Sequence, residues 1–183
     1  PHCGTMTIRT RLALQFLLLA SLILGGAFVV VYALSAEYRE EEFIGRLKDR
    51  GTNTAKLLIQ VDEVDEQLLA RIEGDNPVRL PEEVIRIFDH HNKQIFKLGI
   101  AQGDSVPPGI LDQVRLEGDQ RLEIGERELV AFPFTDRYDR FVVEASGRDI
   151  YGRSKLRNEG RVMIATFLIG LVLIFLVGRF YAQ

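Results

Sequence analysis

Three groups of residues in this sequence have types that could do chemistry. The first is His90–His91, inside the polar run "DHHNK". Imidazole titrates near neutrality and binds metals, so the pair could serve a pH or metal sensor. Adjacent side chains on a tight turn are expected to diverge, which works against joint ligation of one ion. Asp89 is the one acid close by. Exposed turn residues are therefore the leading expectation, with sensing as the alternative. The second group is Asp62, Glu63, Asp65 and Glu66. Their spacing does not fit a calcium loop. It suits the acidic first turn of a helix, where carboxylates meet the positive end of the helix dipole. The third group is Phe132, Phe134, Tyr138 and Arg140, around the turn "TDRYDR". These could line a ligand pocket, and core packing explains the aromatics equally well. His90, His91, Phe132, Tyr138 and Arg140 are thus the candidate ligand-binding residues. No Gly-rich phosphate loop or Ser–His–Asp constellation is present, and basic residues are interspersed with acids, so no nucleic-acid stripe forms. The sequence reads as a non-catalytic chain without metal or cofactor.

The charge distribution places these groups. All 26 acidic residues lie within 35–161, and of the 23 Lys and Arg only Arg9, Arg11 and Arg179 lie outside it. The middle carries −6 and the flanks +3. Residues 12–34, "LALQFLLLASLILGGAFVVVYAL", hold no charge. As a helix they would span about 34 Å, enough for a hydrocarbon core of about 30 Å. A cleaved signal peptide has a shorter apolar core, although "YALSA" weakly imitates a cleavage site. A second apolar run covers 162–177, within an expected span at 162–178. Arg161 and Arg179 can snorkel to the two interfaces, and Phe180 and Tyr181 suit the aromatic belt. Arg9 and Arg11 precede the first span and "SAEYREEEF" comes after it, so residues 6–11 and the end of the chain are expected on the cytoplasmic side. Arg153, Lys155, Arg157 and Arg161 before the second span argue the other way, but long loops translocate largely regardless of charge. The expected location is the bacterial inner membrane, with residues 35–161 in the periplasm. Residues 1–5 read as a cloning remnant, which takes with it Cys3, the only cysteine. No disulfide is then expected. Ser21 and Gly25, four apart in the first span, are candidates for a helix–helix contact between two copies.

Period and punctuation give the elements. Ile44, Leu47, Gly51, Ala55 and Leu58 recur on one helical face, so 35–60 is expected to continue the first span as one helix. Gly51 and Ala55 could admit a partner helix or the domain's own sheet. A short helix with Leu68, Leu69 and Ile72, capped by Asp62 or Asp65 and stopped by Gly74, comes next. Val84–Phe88 and Gln94–Leu98 read as a hairpin. A short helix lies in "SVPPGILDQVRLEG", with Ile110, Leu111 and Val114 inward. "QRLEIGERELVAFPF" reads as two strands around "GERE", and "FVVEA" as a last strand. "SGRDIYGRSKLRNEG" is a helix entering the second span, breakable at Gly152 and Gly160. The fold class is an α+β membrane protein, with two spans flanking a domain built on one antiparallel sheet.

That domain resembles the PAS-like sensor domains of bacterial receptors. Four stretches, "TRLALQFLLLASLILGGAFVVVY", "SAEYREEEFIGRLKDRGTNTAKLLIQVDEVDEQLL", "TDRYDRFVVEASGRDIYGRSKLRN" and "FLIGLVLIFLVGRFYAQ", make residues 6–183 similar to the N-terminal half of a sensor histidine kinase, of the kind common in Bacteroidetes. The resemblance implies a homodimer whose spans form a four-helix bundle. Residues 179–183 would open a HAMP-like linker, leading to the phospho-accepting histidine and an ATP- and Mg-dependent core, with a response regulator as partner. No residue here matches that histidine or the nucleotide motifs, so this chain itself is not expected to be an enzyme. His90 and His91 lie in the outer domain. Input modules of chemoreceptors or cyclic-dinucleotide cyclases, and a membrane-anchored envelope scaffold, are the alternatives.

Overall fold

The computed structural model describes residues 8–60, 67–69, 71, 79–100, 106–136 and 139–181. Among the described residues, two helices are long and apolar enough to cross a membrane, each with an 18-residue window of mean hydropathy 2.5 that is unburied. They are α1, Ile8–Gln60, and α3, Ile150–Tyr181. No proline interrupts α1, and 35–60 continues the apolar segment without a break, as its pattern requires. Gly152 and Gly160 do not break α3 either. Glycine costs about 1 kcal/mol per helical position, too little to end a helix of this length.

The chain divides into two compact units, Pro1–Arg39 with Gly152–Gln183, and Glu40–Tyr151. In the second unit, five antiparallel strands among the described residues form one sheet in the order β2-β1-β5-β4-β3. They are β1 Val84–Phe88, β2 Gln94–Leu98, β3 Gln120–Ile124, β4 Arg127–Thr135 and β5 Arg140–Gly147. A helix, α2, Pro108–Glu117, starts on prolines whose missing N–H groups are no loss in a first turn. The β1–β2 hairpin has the bounds its apolar runs indicate. The β3–β4 turn is shorter than "GERE": only Gly125 and Glu126 form it, and Arg127 and Glu128 already pair in the ladder. Gly125 supplies the positive φ, +66°, that lets a two-residue loop match the strand twist.

Side-chain alternation sorts the core into two layers. On one face of the sheet, Ile85, Ile87, Phe96, Leu98, Val130, Phe132, Val143 and Ala145 meet Phe43, Ile44, Leu47 and Ala55 of α1. Gly51 sits at the closest approach. A Cβ there would lie 3.0 Å from Val143 Cγ1 and 3.1 Å from Phe132 Cζ. The small residues of this stripe therefore serve packing on the chain's own sheet. On the other face, Phe88, Leu129, Ala131 and Val142 pack with Val106 and with Leu111 and Val114 of α2. Burying each of the Val, Leu, Ile and Phe side chains contributes about 1.5–3 kcal/mol. Strand β1 is buried along its whole length, which is why "VIRIF" lacks the apolar–polar alternation of a half-exposed strand. Residues 67–69 are helical and Leu69 is fully buried. The acidic cluster at 62–66, with its expected caps, and Ile72 and Gly74 lie outside the described residues.

In the first unit, residues of α1 and α3 pack on each other. Phe28 and Phe167 meet edge to face, 6.2 Å between ring centroids. Ser35 Oγ donates to Glu159 Oε1 at 3.2 Å.

Candidate functional site

The histidine pair sits at the tip of the β1–β2 hairpin, and a single carboxylate shapes that tip. Asp89 Oδ1 accepts from the backbone N–H of His91 at 2.8 Å and of Lys93 at 2.9 Å. Asn92 takes a left-handed φ of +63° to close the turn, a conformation that asparagine tolerates. Both histidines are exposed, as expected. Their rings do not diverge. The centroids are 3.8 Å apart with the planes at 44°, because the curl imposed by Asp89 brings successive side chains together. Slight burial pushes the Asp89 carboxyl upward, but the two N–H donors and the neighbouring imidazoles outweigh it and hold its pKa below the usual value. Helix α2 clasps this tip. Arg115 donates to Asn92 Oδ1 at 2.5 Å, to the Asp89 carbonyl at 2.7 Å and to Asp112 at 3.0 Å. Among the described residues no group of three His, Cys, Asp or Glu could hold a metal ion.

A second constellation lies under α2 and was not anticipated. Arg86 of β1 and Glu144 of β5 stand directly opposite each other in the sheet. Arg86 Nη1 donates to Glu144 Oε1 at 2.6 Å, with side chains 6% and 1% exposed. The second carboxylate oxygen accepts the Val106 N–H at 3.4 Å. Burial pushes the Glu144 pKa up, opposed by Arg86, by the Val106 N–H and by Arg127. The arrangement has no nucleophile. What it can do is tie β1, β5 and the chain leading into α2 through one carboxylate whose charge is costly to hold. The sequence carried one faint signal: "VIRIF" and "FVVEA" each place a single charge, of opposite sign, inside an apolar run.

The remaining candidates separate. Phe132 is 2% exposed in the layer under α1, with Lys48 Nζ 5.6 Å from its ring centroid. Phe132 pairs with Val143 and Arg140 with Thr135, so register places them on opposite faces of the sheet. They do not converge on one pocket. Tyr138 lies outside the described residues. Ser21 Oγ donates to the Leu18 carbonyl of its own helix at 2.9 Å. Gly25 packs within the chain: a Cβ there would lie 3.7 Å from Phe167 Cε2. Arg9 belongs to α1, and Arg11, Arg161 and Arg179 are exposed on α1 and α3.

With both constellations placed, comparison with protein-family models, with curated proteins and with solved structures finds no match to this chain.

Proposed function

We propose that the chain is the input part of a bacterial sensor histidine kinase, receiving a periplasmic stimulus and passing it through two inner-membrane helices to a cytoplasmic kinase. One observation carries this reading. Helix α1 contains both an apolar segment of spanning length and the residues that roof the sheet, within a single 53-residue helix. Helix α3 starts three residues after β5, the central strand next to β1 and β4. Helix α1 is therefore itself part of the core, and α3 follows a core strand within three residues, as a mechanical relay requires. The α+β domain with one antiparallel sheet supports a PAS-like sensor. A stimulus acts only by binding one arrangement better than another. The hairpin tip with His90, His91 and Asp89 is the exposed polar feature best suited to receive one. The reading keeps a homodimer in the bilayer and a response regulator downstream.

The test is a fusion of residues 6–183 to a histidine kinase core of known output, with one alanine inserted after Gly160. The insertion rotates the downstream part of α3 by about 100° and is expected to change basal phosphorylation severalfold. Unaltered output and stimulus response would sink the relay. A gene that continues after Gln183 into a methyl-accepting coiled coil or a cyclase would replace the kinase with another receptor output.

A further inference from the structure

Within the unit formed by residues 8–39 of α1 and 152–181 of α3 lies an open groove of about 630 Å³. Phe28, Val29 and Tyr32 line one side and Ile164 the other, and Gly25, Ala33 and Gly160 make the room. The lining changes character along its length. The stretch around Gly25 and Phe28 has no polar side chain, whereas Arg157 and Arg161 line the opposite end. These arginines are four apart on α3 and so share a face. Both are exposed, and neither has an ion-pair partner among the described residues. The acid nearest in sequence, Glu159, accepts the Ser35 hydroxyl instead.

An apolar trough ending in two unpaired cations has the shape and charge of an amphiphile with an anionic head. We propose that the groove holds an acyl chain of an anionic phospholipid from the surrounding bilayer, with the phosphate between Arg157 and Arg161. This rests on the reading of α1 and α3 as membrane helices. Guanidinium groups bind phosphate through paired N–H donors. A second copy docked on the same groove would bring its own arginines toward these two, so charge complementarity favours the lipid. A lipid lodged there touches both helices at once, and its departure would alter how they pack.

The experiment uses the whole chain in dodecyl maltoside micelles, with phosphatidylglycerol or phosphatidylcholine added and retained adducts counted by native mass spectrometry. The wild type is expected to retain phosphatidylglycerol preferentially. Each arginine should contribute about fivefold, so Arg157→Ala with Arg161→Ala should remove most of the preference. Lys155→Ala, outside the groove, should leave it intact. Val29→Trp, which fills the trough and keeps the charges, should lower retention of both lipids. No preference in the wild type, the same preference in the double variant, or retention unmoved by Val29→Trp overturns the proposal. So does a dimer that excludes lipid and dissociates on Val29→Trp. Flotation with carbonate-washed vesicles separates the two levels. A chain that floats without lipid preference loses only this site, and one that fails to float loses the membrane reading as well.

Discussion

Under α1 the sheet presents Ile85, Ile87, Val130, Phe132, Val143 and Ala145, with two buried acids at its margin, Glu128 and Glu83, the latter held by Arg50 of α1 at 3.0 Å. Under α2 the same strands present Arg86, Glu144 and Ser146 among Leu129, Ala131 and Val142. The first face is held mainly by shape, with the Arg50–Glu83 pair at its edge. Gly51 brings a helix so close that a methyl group would meet Val143 and Phe132 near 3 Å. The second face is held partly by charge, through an ion pair that only strand register brings together. A close-packed face tolerates little change of volume. A face with a buried pair tolerates loss of both charges better than loss of one. The difference teaches where the domain can be altered without collapse, and that the face under α2 is the more adjustable.

Four tests bear on this contrast. Phe132→Ala should cost about 3–5 kcal/mol of domain stability, read from urea unfolding of the chain in detergent. A cost below about 1 kcal/mol would mean that the α1 face is not tightly packed. Glu144→Ala should cost about 3–5 kcal/mol by leaving Arg86 buried and unpaired, whereas Arg86→Met with Glu144→Leu should come close to wild type. A double variant as unstable as the single one would show that the pair stabilises the fold. Gly51→Ala should cost about 1–3 kcal/mol through overpacking, against the gain of about 1 kcal/mol that the same change makes in an open helix. The smallest effect is on pH dependence. The folded pKa of Glu144 is raised, so its contribution is fully present below the ordinary glutamate value and is lost as pH rises through the raised one. Asp89 is lowered and contributes above its ordinary value, losing that as pH falls through the lowered one. Unfolding midpoints of Glu144→Gln and Asp89→Asn across the acidic range should therefore deviate from wild type with opposite slopes. Slopes of the same sign would contradict the two environments.

Much of this architecture was legible in the residues. Val84–Phe88 and Gln94–Leu98 announce themselves as β-rich runs around a polar turn, and the stripe from Ile44 to Leu58 fixes the buried face of α1. The ion pair was not legible. Arg86 and Glu144 are 58 positions apart, and a charge inside a strand reads as a solvent-facing residue until the strand order is known. The histidine rings failed for a local reason. The expectation that neighbours diverge ignored Asp89, which curls the turn through two N–H bonds. Phe132 and Arg140 looked like one pocket because both lie close to one turn. The β4–β5 register puts them on opposite sides.

The strand order also has a consequence for how the domain assembles. β1–β2 and β3–β4 are local hairpins that can close soon after their residues exist. β5 lies between them in space, yet it is the last strand in sequence. It is a keystone inserted from the far end of the chain. Neither layer of the core can be sealed before it arrives, and such long-range pairing makes folding slow. The next helix, α3, begins only three residues later. In a cell, closure of the sheet would therefore coincide with synthesis of the second apolar helix, and a strand pair left open at that moment would offer β1 and β4 as unpaired edges to another chain.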